Sequence, residues 1–153
     1  MAPVAIALGS NLDDRRANLD YAIARLPSIL SDLLVSRIIE TDPVDVVGSQ
    51  ARFLNAAATG TYGGTPQALL AGLLRIEEER GRKRPHPRAA RTLDLDVIFF
   101  GQEIVEEPGL VVPHPRFRER RFVLEPLAEI APGWRDPVTG LTVQDLLSRT
   151  PPR

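Results

Sequence analysis

Arg91-Thr92-Leu93-Asp94-Leu95-Asp96-Val97-Ile98-Phe99-Phe100, closed by Gly101, is the stretch whose reading decides the fold. Beyond its two acids it is rich in β-branched and aromatic residues, which marks it as a strand. Side chains alternate across a strand, so Asp94 and Asp96 share one face, and Leu93, Leu95, Val97 and Phe99 are expected to turn the other way, into a core. The two carboxylates then lie roughly 6–7 Å apart along the strand. Like charges at that spacing, next to an apolar run, favour a cation between them. Mg2+ is held in this way, by one or two carboxylates, when it also carries substrate phosphates. A D-x-D pair that merely starts a strand at the solvent edge is the structural alternative.

Immediately before this strand the chain concentrates its cations: Arg80, Arg82, Lys83, Arg84, Arg88 and Arg91, with His86, Pro85 and Pro87 among them. A net charge of -1 over 153 residues makes that cluster local, and argues against non-specific nucleic-acid or membrane binding. A solvated face is one reading and an RNA-binding loop another. Aromatic residues at 5% and the lack of an RNP1-type pattern weigh against RNA. Guanidinium forks that grip phosphate oxygens, beside two acids that hold the bridging metal, suit a nucleoside triphosphate better than either group alone. No P-loop, G-x-G-x-x-G, H-E-x-x-H or G-x-S-x-G occurs, which argues against the common nucleotide-binding, zinc-protease and hydrolase solutions.

Outward from this centre, Val4 to Leu8 is a buried first strand ended by Gly9-Ser10-Asn11. Asp13 or Asp14 caps a helix with the stripe Leu19, Ala22, Ile23 and Leu26, stopped by Pro27. Leu33 to Thr41 is a second strand, Asp42-Pro43 opens a loop running through Gly48-Ser49-Gln50, and Phe53 to Tyr62 is a third strand. The second helix has Thr65 as N-cap, Pro66 in first position, Leu69, Leu70, Leu73 and Ile76 at helical spacing, and Gly81 at its end. The order β-α-β-β-α-β predicts an α+β, ferredoxin-like sheet with its helices on one face. Beyond Gly101, segments 103–106 and 109–112 form a small hairpin, Pro113-His114-Pro115 breaks it, and Arg116 to Ile130 is helical in pieces. Trp134 lies in a turn region, and Thr142 caps a short last helix through Leu147. No repeat or linker divides the chain, so residues 1–153 are expected to form one domain. With no cysteine, and an opening apolar run too short for a signal segment, a soluble, cytoplasmic domain is expected.

Six segments in one order carry a resemblance: Gly9-Ser10-Asn11-Leu12, Phe53-Leu54-Asn55-Ala56, Gly81-Arg82, Arg91 to Asp96, Val112-Pro113-His114-Pro115-Arg116, and Arg121-Phe122-Val123-Leu124-Glu125-Pro126-Leu127. Together they resemble the 6-hydroxymethyl-7,8-dihydropterin pyrophosphokinases of folate biosynthesis, over residues 4 to about 147. The resemblance implies transfer of pyrophosphate from MgATP to the pterin hydroxymethyl group, with release of AMP. It implies two Mg2+ ions on Asp94 and Asp96, and catalytic roles for Arg82, Arg91 and Asp96. For ATP it implies Glu77, Arg82, Arg84, Arg91, His114, Arg116 and Arg120. For the pterin it implies Thr41, Asp42, Val44, Phe53, Asn55 and Phe122, the two rings sandwiching the heterocycle and Asn55 meeting its amide edge. ATP and the pterin are then the partners of a monomer, with no nucleic acid or membrane, and residues 82–90 a lid that closes on ATP. Two departures bear on affinity and loop order: Arg88-Ala89-Ala90-Arg91 replaces the usual aromatic-Gly-Pro run, and Ile39-Glu40-Thr41 replaces a Tyr-led version. The rivals are another Mg2+-dependent nucleotidyl transferase and a non-catalytic nucleotide- or RNA-binding module.

Overall fold

A computed structural model describes residues 1–42, 52–81 and 92–151. Val44, the glycine loop through Gln50, and Arg82, Arg84, Arg88 and Arg91 with the expected lid lie outside the described residues. The elements are β1 (Ala2–Ser10), α1 (Arg15–Arg25), β2 (Ser31–Val35), β3 (Ile39–Thr41), β4 (Phe53–Tyr62), α2 (Pro66–Glu79), β5 (Asp94–Phe100), β6 (Val105–Glu107), β7 (Leu110–Val112), α3 (Arg121–Ile130) and α4 (Val143–Arg149). Short 3-10 turns at Leu26–Ser28 and Phe117–Glu119 complete them.

Local chemistry starts and stops the helices where the sequence says it should. Asp14 accepts from Ala17 N–H at 3.0 Å and caps α1, and Thr65 accepts from Ala68 N–H at 3.1 Å ahead of Pro66. Gly81 follows α2 at φ +77, the left-handed conformation that a residue with a Cβ resists. Thr142 and Asp145 form a reciprocal capping box on α4.

The main sheet runs β2-β4-β1-β5 with every pairing antiparallel, and β3 also pairs with β4. The expected single strand from Leu33 to Thr41 is two strands. Its interruption has a cause: at Ser36 the side-chain Oγ, not the backbone carbonyl, accepts Ala57 N–H at 2.8 Å. Arg37 N–H then turns away to the Glu129 carboxylate of α3 at 3.2 Å. The strand also starts earlier than Leu33, at Ser31, through a register shift that places Asp32 at φ +53. An Asp tolerates that conformation better than most residues.

The two helices of the expected sheet unit, α1 and α2, lie on one face as expected, and the helices of the C-terminal tail cover the other. α1 and α2 set Leu19, Ala22, Leu26, Leu69, Leu73 and Ile76 against Val4, Ile6, Leu8, Leu95 and Val97. α3 and α4 set Val123, Leu124, Leu127, Val143 and Leu146 against Ala5, Ala57, Ile98 and Phe99 on the other side. Phe99 therefore does not join Leu93, Leu95 and Val97. A bulge opposite Ala5/Ile6 pairs Ala5 with Phe99 and Ile6 with Val97, leaving Ile98 as the extra residue. One inserted residue reverses the alternation. Phe99 so meets Phe117 edge-on at 5.1 Å, and Phe100 returns to the α1/α2 side against Tyr62. Because the bulge lies beyond Asp96, Asp94 and Asp96 keep their common face.

Candidate active site

Two rows cross the sheet at the end where β1 leaves it. Gly9 is paired with Asn55 on one side and Asp94 on the other, and Ala7 with Ala57 and Asp96. Cross-strand partners share a face, so Asn55, Gly9 and Asp94 line one row and Ala57, Ala7 and Asp96 the next. Asn55 and Asp94 are two strand spacings apart, roughly 10 Å. Between them Gly9 leaves the floor open. A Cβ there would sit 3.2 Å from Asn55 Oδ1 and 3.7 Å from the Phe53 ring.

Asn55 is buried, and its Nδ2 donates to Thr41 Oγ1 at 2.5 Å. That bond uses one of the amide's two hydrogens and leaves Oδ1 and the other hydrogen for a ligand. Phe53 sits one alternation from Asn55 on the same face, opposite Thr41 in the β3/β4 pairing. Phe122 comes from the first turn of α3, packed at the margin of the core on this side of the sheet, with the Arg120 guanidinium 5.6 Å from its ring centre. The sheet and α3 thus bring Thr41, Phe53, Asn55 and Phe122 to one side. Asp42 is on the rim, in an ion pair with Arg52 at 3.1 Å.

Gly9→Ala is expected to displace the Asn55 amide, because the tight neighbour is that side chain. If Asn55 holds the heterocycle that the resemblance implies, the KM for it should rise about tenfold, on the scale of a lost or strained hydrogen bond, while the KM for the implied nucleotide stays near the wild-type value. Steady-state kinetics with each substrate varied in turn separates the two.

Glu77 reaches β5 from the opposite face. It is 2% exposed, and its Oε2 accepts the N–H of Leu95, the residue between the two acids, at 2.7 Å. Glu77 therefore holds the peptide that spaces Asp94 from Asp96. Among the described residues no group of three or more His, Cys, Asp and Glu side chains gathers to hold a metal. A cation on Asp94 and Asp96 would complete its shell with phosphate oxygens and water, which is how Mg2+ is commonly held beside nucleotides. The donor set fits.

His114 follows the cis Val112–Pro113 peptide. Its N–H is donated to Ile98 C=O at 3.1 Å, and its ring Nδ1 accepts Arg116 N–H at 3.2 Å. With Nδ1 occupied as an acceptor, Nε2 carries the proton of the neutral ring and is a donor. Burial pushes the imidazole down to about 4, the Arg120 and Arg116 guanidiniums add to this, and Asp94 opposes it. His114 is thus a neutral donor at physiological pH, close enough to Asp94 to feel its charge. The unfolded chain takes up a proton below about 6.5, whereas the folded one waits until about 4. Stability is therefore complete above the higher value and falls as pH drops between the two, by at most about 3 kcal/mol. Thermal melts of the ligand-free protein should show that slope, and His114→Gln should flatten it. An unchanged slope would rule out His114 as its source.

Arg116 and Arg120 flank the 3-10 turn at 117–119, Arg116 exposed and Arg120 half-buried. The neighbouring Arg118 turns inward to Asp136. Sequence reasoning missed two features. Gly9 reads as a strand end and as part of a resemblance segment, and nothing local marks it as lying between Asn55 and Asp94. Asn18 was passed over although it carries a signal: a polar residue four positions before Ala22, on the stripe that packs inward.

The family model described as 7,8-dihydro-6-hydroxymethylpterin-pyrophosphokinase (HPPK) matches residues 5–132. The 2-amino-4-hydroxy-6-hydroxymethyldihydropteridine pyrophosphokinase of Bacillus subtilis is 46% identical over 127 residues, covering 82% of this chain and 75% of the relative. The Pseudomonas aeruginosa protein of the same name is 39% identical over 151 residues, 97% of this chain and 91% of the relative. The crystal structure of wild-type Plasmodium falciparum HPPK-DHPS superposes with a TM-score of 0.76 at 16% identity, covering 97% of this chain and 44% of that chain. At that identity the likeness shows the fold alone, and the chain spans less than half of the solved chain it matches.

Proposed function

The chain belongs to the 7,8-dihydro-6-hydroxymethylpterin-pyrophosphokinase (HPPK) family, and from that premise we propose how its own residues move pyrophosphate from ATP to the hydroxymethyl group of 6-hydroxymethyl-7,8-dihydropterin. The observation that carries the reading is the row Asn55–Gly9–Asp94. It sets a side-chain amide and a carboxylate about 10 Å apart on one face of the sheet, which supports the reading. That span suits a flat bicycle whose amide edge is at one end and whose one-carbon arm is at the other.

In this reading the free Asn55 Oδ1 and N–H pair with the pterin's amide edge, and Phe53 and Phe122 hold its faces. Thr41 fixes the Asn55 rotamer, and Asp42 and Val44 close the rim. Asp94 and Asp96 would hold two Mg2+ ions, which neutralise and align triphosphate oxygens when bound. His114 donates through Nε2 to a phosphate oxygen, and Arg116 and Arg120 add charge beside it. Glu77, buried on the opposite face, acts through the peptide it holds between the two acids. By the family resemblance, Arg82, Arg84 and Arg91 grip the phosphates, with Arg82 and Arg91 countering charge that develops on the transferred group.

The hydroxyl oxygen forms a bond to the β-phosphorus, and the bond from that phosphorus to the α,β-bridging oxygen breaks. AMP leaves with the electron pair. The hydroxyl proton passes to Asp96 or to water. Positioning for in-line attack is the protein's main contribution. The strand order, with β2 and β3 taken as one strand, supports a ferredoxin-like assignment, and we assign a single domain acting as a cytoplasmic monomer.

Incubation with MgATP and the hydroxymethyl pterin tests this directly. AMP with a pterin diphosphate is the expected product pair. ADP would indicate an ordinary kinase, and no turnover would leave a binding module.

A further inference from the structure

We propose that Asn18 is a positioning residue for the pyrophosphoryl-transfer site, setting the chain on both sides of residues 82–91 from a buried point outside the site itself. The inference rests on the transfer reading above. Asn18 lies on α1 and is 1% exposed. Its Oδ1 accepts from Arg80 Nε at 3.1 Å and Nη2 at 2.6 Å. Its Nδ2 donates to Leu12 C=O at 3.0 Å and to Ser10 Oγ at 3.2 Å. Ser10, itself fully buried, passes its hydroxyl hydrogen to Thr92 C=O at 2.5 Å.

One amide therefore ties four places together. Arg80 ends α2 two residues before Arg82, and Thr92 stands two residues before Asp94. Ser10 ends the strand that carries Gly9, and Leu12 lies just beyond it. The amide's donors and acceptor are all engaged, so the bonds specify one arrangement instead of a sliding contact. Arg80 is held from a second side, its guanidinium 5.1 Å from the Tyr21 ring centre. Tyr21 donates to Glu79 at 2.6 Å, and Arg25 grips the same carboxylate with two bonds. The C-terminal turn of α2 is thereby locked to α1, and through Asn18 to the start of β5. Helix cohesion alone would be served as well by an apolar residue at position 18, because that position lies on the inward stripe with Leu19 and Ala22. An amide there is explained by what it aligns.

The test compares Asn18→Ala, Asn18→Asp and Arg80→Met with Val143→Ala, a buried core truncation on α4 remote from the site. Well below the melting temperatures, Asn18→Ala is expected to lower kcat about 10- to 100-fold, the scale of a small misplacement of reacting groups. The KM for ATP should rise and the KM for the pterin stay within about twofold. Asn18→Asp keeps the Arg80 acceptor and loses the two donors, so it should fall between. Val143→Ala should lose melting temperature yet keep kcat. If Asn18→Ala does not fold, Arg80→Met carries the same expectation. Asn18→Ala or Arg80→Met at wild-type kcat and KM, or Val143→Ala impaired in parallel, overturns the proposal. Titration with Mg2+ and a non-hydrolysable ATP analogue gives a readout independent of turnover. Weakened binding in the Asn18 and Arg80 variants alone upholds the positioning role even if the wild type makes no pterin diphosphate. That result would sink the transfer reading instead. Equal binding in all four variants overturns the positioning role.

Discussion

Asp96→Asn is expected to lower kcat by about 10²–10³-fold, and Asp94→Asn by a comparable amount, while the melting temperature stays close to that of the wild type. The magnitude follows from the proposed role of the two carboxylates, which is to hold fixed charge beside a phosphoryl transition state. The intact fold follows from position. Both side chains are half-exposed and belong to neither apolar cluster. The neighbours that hold the strand, Leu95 and Val97, point the other way into the α1/α2 core. Raising Mg2+ should recover part of the single mutants' rate, because a weakened site saturates later. The double mutant should be inactive at any Mg2+. An active double mutant would remove the metal assignment, and a double mutant that melts early would show that the carboxylates hold the fold.

Asp136→Ala is expected to cost roughly 3 kcal/mol of stability, the scale for leaving one member of a buried charged pair without its partner. Asp136 is fully buried and accepts from Arg118 Nε and Nη2, from Val138 N–H at 3.0 Å and from Thr139 Oγ1 at 2.7 Å. Burial alone would raise its carboxyl, but the bonds from Arg118, Thr139 and Val138 outweigh it and hold the group below the ordinary carboxylate range. A lowered carboxylate contributes its stability above the unfolded value and loses it as pH falls through the folded one. The penalty of Asp136→Ala should therefore be constant from neutral pH down to about 4 and shrink below that. The same pair pulls Arg118 inward within the 3-10 turn that Arg116 and Arg120 flank. Loss of Asp136 should accordingly raise the KM for ATP as well as lower the melting temperature. Chemical denaturation at several pH values, with ATP kinetics at the most permissive one, checks both. A variant that loses stability with an unchanged KM would separate Asp136 from the site.

Much of the architecture is legible in residue order because it is locally encoded. Asp14, Thr65, Pro66, Gly81 and Thr142 start or stop their helices through groups within four residues. The apolar periods of α1, α2 and β4 are local in the same sense. Asp94 and Asp96 share a face because alternation is a property of one strand.

Three things escaped for a common reason. The reversal at Phe99 depends on a bulge against β1, the interruption at Ser36 on which group meets Ala57, and the second helical layer on where the chain after Gly101 returns. Each is settled by a partner dozens of residues away. Asn55 and Asp94 are informative apart, but their separation across Gly9 exists only once β4, β1 and β5 pair in register. The sequence by itself determined the strand with its two carboxylates, the helix ends and the family. Tertiary structure alone decided that the Asn55 amide and the Asp94 carboxylate share one row of the sheet, and that Asn18 binds both flanks of the arginine segment. Alternation and capping act within a few residues, whereas strand pairing and buried hydrogen bonds join residues that only folding brings together.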